Sequence, residues 1–170
     1  NDFWLIGPNQ EFINYNQDGN ILDVDNIKGY AMLFNMKNFN KKFFDENFFL
    51  YFEEIDLCKK IKDKSGKILV NPKIKVQHDG GKSVNLISSH ELEKNRNWHW
   101  MWSTFYFHKK YKGFFLALLI IAPKMISAIL KFFLYRLTSN RKKKEIYSSR
   151  LSGLLNSIKG KKSWFRPRLD

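Results

Sequence analysis

The stretch Phe44-Asp-Glu-Asn-Phe-Phe-Leu-Tyr-Phe-Glu-Glu-Ile-Asp-Leu-Cys-Lys-Lys-Ile61 changes character in its middle. Its first half is a block of aromatics around Asp45 and Glu46. From Glu53 onward Ile55, Cys58 and Ile61, with Leu57, fall on one stripe of a helix, while Lys59, Lys60, Lys62 and Lys64 face out. Glu53, Glu54 and Asp56 occupy the first turn and lysines the last, the order that suits a helix dipole. That is the plain reading of the acids. The chemical reading is that clustered carboxylates repel one another, which favours a nearby cation or a raised pKa.

Downstream, Ser65-Gly66 ends the helix. Ile68-Leu-Val70 and Ile74-Lys-Val76 read as two strands broken at Asn71-Pro72, and the second leads into His78-Asp-Gly-Gly-Lys-Ser83. Upstream, residues 1–25 read as short strands and turns, and Gly29-Tyr-Ala-Met-Leu-Phe34 as a buried strand. Asn38 to Lys42 reads as a short turn of helix. Asp23-Val-Asp25 has the letters of a metal-binding pair and equally those of a polar strand edge. Residues 85–110 form a second helical region rich in Trp and Phe. His90, His99 and His108 keep no company of metal-ligand type.

Composition sets further bounds. The chain has 170 residues and 44% hydrophobic content, a one-domain length with ample material for a core. A single cysteine, Cys58, rules out an intrachain disulfide and points to a reducing, cytosolic setting. Asn1-Asp2-Phe3-Trp4 shows none of the features of a signal peptide, and the chain reads as one that begins within a larger protein. The net charge of +14 is unevenly placed. Residues 1–108 hold 14 basic and 14 acidic residues, whereas residues 109–170 hold 16 Lys/Arg against Glu145 and Asp170 alone. Such a tail fits a polyanionic partner, either a membrane surface or nucleic acid.

The tail also carries long apolar runs, Gly113 to Ala122 and Met125 to Leu137, separated by Pro123-Lys124. The first is too short to span a bilayer. Joined, the two would carry lysines through the apolar zone, so a pair of amphipathic helices, lying in an interface or packed on the front part, is expected. Arg141-Lys-Lys-Lys144 and Lys159-Gly-Lys-Lys162 flank a further amphipathic segment, Ile146 to Ile158. The aromatics here fall on apolar helical runs, which prefer lipid or core to nucleotide bases, so no nucleic-acid partner is expected. A non-enzymatic basic module that binds anionic membrane or RNA is the alternative reading of the whole chain.

The joint pattern of Phe44, Asp45, Glu46, Phe48, Phe49, Tyr51, Glu53, Glu54, Asp56, Leu57, Cys58, Gly66, Pro72, His78, Gly81 and Ser83 resembles the family 2 glycosyltransferases. Bacterial rhamnosyltransferase-like enzymes of surface-polysaccharide synthesis are the most similar. The resemblance covers residues 20–110. It implies an α/β fold: residues 1–110 as the C-terminal, acceptor-side part of a GT-A nucleotide-diphospho-sugar transferase domain, and residues 111–170 as a basic helical tail. It also implies an inverting transfer from a nucleotide-diphosphate sugar to a hydroxyl of a glycan or polyprenyl-linked acceptor. By it Glu54 is the base, one methylene longer than the usual Asp; Glu53 holds the acceptor sugar and Asp56 braces the helix. Gly29, Tyr51, Gly81 and Ser83 fall in the acceptor's vicinity, and His78 completes the coordination of a divalent cation, Mn²⁺ or Mg²⁺. The family's upstream Asp-x-Asp motif and donor pocket have no match here, and Asp23-Val-Asp25 does not take that role. The isolated chain is therefore expected to be inactive. The expected location is the cytoplasm, peripheral on the inner face of the plasma membrane.

Overall fold

The computed structural model describes residues 21–35, 43–71, 73–76 and 89–167. In chain order these form β1 (Leu22–Asp23), α1 (Glu53–Asp63), β2 (Leu69–Val70), α2 (Ser89–Lys112), α3 (Phe114–Leu137) and α4 (Arg141–Ile158). The strands pair antiparallel, Leu22 with Val70 and Asp23 with Leu69, in a two-stranded sheet. The expected α/β architecture of a GT-A half-domain is therefore corrected: the described part is a helical assembly with a minimal β ribbon.

The physical reason is a lack of strand partners among the described residues. A strand stands only where its amides and carbonyls find a neighbour, and a lone ribbon is marginal. Gly29 to Phe34, expected as a buried strand, is an irregular segment that turns at Gly29-Tyr30 and leaves Leu33 98% exposed. Ile74 to Val76 is likewise no strand. Asn71 Oδ1 accepts the Lys73 amide at 3.0 Å and its carbonyl accepts the Ile74 amide at 3.1 Å, a local turn that competes with extension. The helix expected at Asn38 to Lys42 lies outside the described residues, as do the strands expected over residues 1–20.

Helix α1 follows its apolar stripe, with Ile55, Leu57 and Cys58 buried. It ends where expected: Ser65 has φ 58°, and a Cβ on Gly66 would lie 2.8 Å from the Ile61 carbonyl oxygen, so only glycine closes this turn. Helix α2 is the hub. It buries Trp98, Met101, Trp102, Phe105 and Phe107, and is covered on one side by α1 and its preceding loop, on the other by α3 and α4. Gly153 brings α4 onto the α2 backbone, for a Cβ there would lie 2.2 Å from the Trp98 carbonyl oxygen. Ser157 Oγ donates to the Trp102 carbonyl at 2.9 Å across the same contact.

Helix α3 is one continuous helix, not two. Pro123 sits inside it. The proline removes the amide that would bond the Leu119 carbonyl, at a cost of about 3 kcal/mol in a helix interior. Packing of Ala117 and Ile121 before it, and Ala128 after it, against the rest of the protein holds the two halves in line. The division expected between residues 110 and 111 falls within α2. Met101 and Phe105 of α2 share one core with Ala117, Ile121 and Leu154.

The chain then returns to α2 as an extended strap. Trp102 Nε1 donates to the Lys161 carbonyl at 3.0 Å, and the Phe165 ring stacks on Trp98 at 5.6 Å between centroids. His99, wholly buried, bonds Phe165 O at 2.9 Å through Nε2 and Ser163 Oγ at 2.8 Å through Nδ1. A carbonyl only accepts, so Nε2 carries the proton and Nδ1 accepts from the Ser163 hydroxyl. Burial lowers the His99 pKa to about 4, with Arg166 adding to the effect against the Phe165 hydrogen bond. The folded value lies below the unfolded value of about 6.5, so this contribution to stability is full above the latter and is lost as pH falls toward the former. Stability is expected to fall by up to about 1.4 kcal/mol per pH unit over that window from this one proton. Urea titrations of wild type and His99→Gln at several pH values check it, the variant showing the flatter slope.

Candidate functional site

The loop ahead of α1 is wound tightly. Tyr51 has φ 68° and Phe52 φ 72°, two consecutive aromatic residues in the left-handed region. Each costs on the order of 1–3 kcal/mol and persists only where surroundings enforce it. The enforcement comes from α2. Ser103 Oγ donates to the Leu50 carbonyl at 2.8 Å. Tyr51 meets Trp100 edge-on at 5.3 Å, and Phe52 lies 5.5 Å from Trp100 and 5.2 Å from Phe107 between ring centroids.

This elbow delivers Glu53 and Glu54 into the first turn of α1. The N-cap is Phe52, with no side-chain capping bond, so the acids follow the cap and do not form it. Both are half-buried, and Oε2 of each is buried with no hydrogen-bond partner among the described residues. Burial raises the pKa of both carboxyls, and for Glu54 the neighbouring Glu53 charge raises it further. A partly dry carboxylate with an open oxygen and an elevated pKa has the properties of a general base.

Asp56, grouped with these two by sequence, plays a different part. Fully buried, it accepts from Lys110 Nζ at 2.6 Å and Tyr111 Oη at 2.7 Å, and lies 2.7 Å from Lys60 Nζ. Lys110 also bridges to Asp45 at 2.7 Å, where Asp45 accepts in addition from the Tyr106 hydroxyl at 3.1 Å. Burial works to raise the Asp45 pKa, yet the Lys110 ammonium and the Asn47 donors outweigh it and hold the carboxyl at about 2. Burial and the Asp56 charge push the Tyr111 hydroxyl well above its ordinary value. The Asp45–Lys110–Asp56 chain thus ties the aromatic loop, α1 and the end of α2 into one rigid frame.

Gly29 lies beside Glu54: a Cβ there would stand 3.5 Å from the Glu54 Cβ, in contact without clash. Tyr51 sits on Trp100, with burial raising its pKa. Cys58, one turn on from Glu54, is buried, its thiol pushed up by burial and so poorly reactive. The structure therefore brings Gly29, Tyr51, Glu53 and Glu54 together and gives Asp56 to the frame. His78, Gly81 and Ser83 lie outside the described residues. Among the described residues no group of three His, Cys, Asp or Glu side chains is placed to hold a metal. A groove of about 510 Å³ lined by Phe44, Asp45, Phe49, Lys162 and Arg166 lies next to the loop, with Arg166 stacked 3.4 Å above the Phe49 ring.

Three parts of this arrangement escaped the sequence reading: the left-handed pair, the Trp100 support, and Lys110 with Tyr111 as partners of Asp56. The only sequence signal for the last was a lone fully apolar flank around an acid, Ile55-Asp56-Leu57. No protein-family description, curated protein or solved structure matches the chain.

Proposed function

We propose that this chain supplies the acceptor side of an inverting sugar transferase, with Glu54 as the base, working at an anionic membrane face. The observation that supports this reading is the pair Glu53 and Glu54, each with a buried carboxylate oxygen unpaired among the described residues, held by a strained backbone. Residues that only complement a helix dipole need neither burial nor strain.

In the proposed step the acceptor hydroxyl gives its proton to Glu54 as its oxygen bonds to the anomeric carbon of the donor. The bond from that carbon to the diphosphate breaks on the opposite face, its electron pair leaving with the nucleoside diphosphate, and configuration inverts. Glu53 accepts a hydrogen bond from a neighbouring acceptor hydroxyl and so orients the sugar. Gly29, without a side chain, leaves room for that sugar beside Glu54. The family resemblance gives His78 to a divalent cation, whose chemistry when bound is to neutralise charge on the leaving diphosphate. The acceptor in this reading is a glycan or a polyprenyl-linked glycan, and the donor a nucleotide-diphosphate sugar.

The test is transfer of radiolabelled sugar by the complete enzyme to membrane-extracted acceptor. Chelation by EDTA and the substitution His78→Ala are each expected to abolish transfer with an unchanged circular dichroism spectrum, and added Mn²⁺ to restore only the chelated wild type. Unimpaired transfer in both conditions would remove the cation from the reading. The RNA-binding alternative gains no support from the tail's rings: Tyr135 stacks on Tyr147 at 5.5 Å, and Trp164 packs on Trp98 at 5.7 Å.

A further inference from the structure

The outward face of α3 has no partner within the described protein, and its composition is uniform. Phe115, Leu119, Ile126, Leu130, Phe133 and Leu137 lie along it and are 81, 70, 54, 65, 53 and 84% exposed. At about 100° per residue all six fall within one narrow sector of the helix. The opposite sector carries Ala117, Ile121 and Ala128, all buried. No charge interrupts the outward stripe. Of the cations of α3, Lys124 and Lys131 lie toward the protein-facing side, 5.6 Å over the Trp100 ring and 5.6 Å over the Tyr147 ring, and Arg136 is exposed beside the stripe.

By length and apolarity the 24-residue helix could cross a bilayer, its most apolar 18 residues having a mean hydropathy of 2.0. Its neighbours forbid it. Helix α4 runs back along α3, joined at the near end by the Tyr135–Tyr147 stack and further along by Leu154 against the Ile121 cluster. It opens with Arg141-Lys-Lys-Lys-Glu145 and carries Arg150. A spanning α3 would drag Arg150, and its own Lys124 and Lys131, into hydrocarbon, each costing roughly 2.5–3.5 kcal/mol.

We infer that α3 lies flat in the interfacial layer of an anionic bilayer, its apolar stripe in the upper acyl region and the exposed cations near its end, Arg136 and Arg141 to Lys143, at the phosphates. This rests on the membrane part of the preceding reading and gives it a geometry. A continuous apolar face on a helix with cations close by is the form that in-plane helices take. The charge argues for lipid over a second copy of this chain: residues 109–170 carry 16 basic residues against two acidic ones, so two such surfaces would repel.

The experiment uses the full chain on vesicles of phosphatidylethanolamine with phosphatidylglycerol, and on phosphatidylcholine vesicles as the neutral control. Spin labels are placed singly at Phe115→Cys, Ile126→Cys and Leu137→Cys. The native Cys58 is buried and stays, with labelled wild type as background. Flotation is expected with the anionic vesicles, weakened by high salt. The combined variant Leu119→Asp, Leu130→Asp, on exposed positions, is expected to lose about a hundredfold in partitioning. Oxygen and nickel-chelate accessibility is expected to place all three labels at one depth, about 5–10 Å below the headgroup boundary. Flotation with the Ile126 label much deeper than the other two would overturn the flat geometry and leave membrane binding intact. Absence of flotation, or self-association in the ultracentrifuge that the double variant abolishes, would overturn both and leave the sugar-transfer reading to its own test.

Discussion

Glu54→Gln is expected to lower sugar transfer by about 10²–10⁴-fold, the usual contribution of a positioned general base. The same substitution is expected to leave the fold at least as stable as wild type. The second expectation separates a catalytic acid from a structural one. A glutamate that serves only the helix dipole contributes about 0.3–1 kcal/mol, and its amide variant loses that amount. Glu54 instead has a folded pKa raised by burial and by Glu53. Its sign is therefore unfavourable: folding penalises the ionised form increasingly as pH rises above the ordinary glutamate value, and in full above the folded one. Gln removes that penalty and relieves Glu53. Thermal melts at neutral pH together with kcat/KM measure both effects. The acidic limb of the wild-type pH profile is expected above the ordinary glutamate value of about 4.3. Full activity in Glu54→Gln would sink the base assignment.

Asp56→Ala gives the opposite pattern, a large loss of stability. The carboxylate is wholly buried and holds Lys110, Tyr111 and Lys60. Breaking a buried pair by removing one partner typically costs 3–5 kcal/mol. Here Lys110 retains Asp45, and both lysines keep some contact with water, which places the expectation near the lower end, about 3 kcal/mol. For a chain of this length that is a fall in Tm of roughly 6–12 °C. Asp56→Asn keeps the shape and one acceptor, so about half the loss is expected. If Asp56→Ala melts like wild type, the frame does not hold α1 to α2. Activity lost in Asp56→Ala and recovered in Asp56→Asn would mark it as a positioning residue.

What the sequence disclosed and what it hid divide along a physical line. Helix α1 was legible because its stripe, its acidic opening and its Ser65-Gly66 close are local facts. Helix α2 was read from its run of aromatics, and of α4 the amphipathic part from Ile146 to Ile158 was legible while its basic first turn, from Arg141, was not. The strand at Gly29 to Phe34 was read from composition alone, and composition does not supply the neighbouring strand that extension needs. Pro123 was taken as a break because a proline costs a helix one bond; packing on either side of it outweighed that bond. At the site, the resemblance already set Asp56 apart from Glu53 and Glu54 as a brace, but what holds that brace was not legible. It depends on Lys110 and Tyr111, more than fifty residues further along the chain. The left-handed pair at Tyr51 and Phe52 was hidden for another reason: aromatic side chains give no sign of a backbone that glycine usually adopts.

The seating of Met101 and Phe105 against Ala117, Ile121 and Leu154 bears on how such a chain is inherited. A basic tail after a neutral front looks like a cassette that could be shed, exchanged or fused elsewhere. Its helices instead line the core around Met101 and Phe105 of α2, and the strap beyond them packs on Trp98, bonds Trp102 and locks onto His99. A stop codon after α2 would strip cover from the helix that supports the Tyr51–Phe52 elbow. Lesions far downstream of Glu54 would then strike the carboxylates as surely as lesions beside them, and the two halves must persist or decay as one unit.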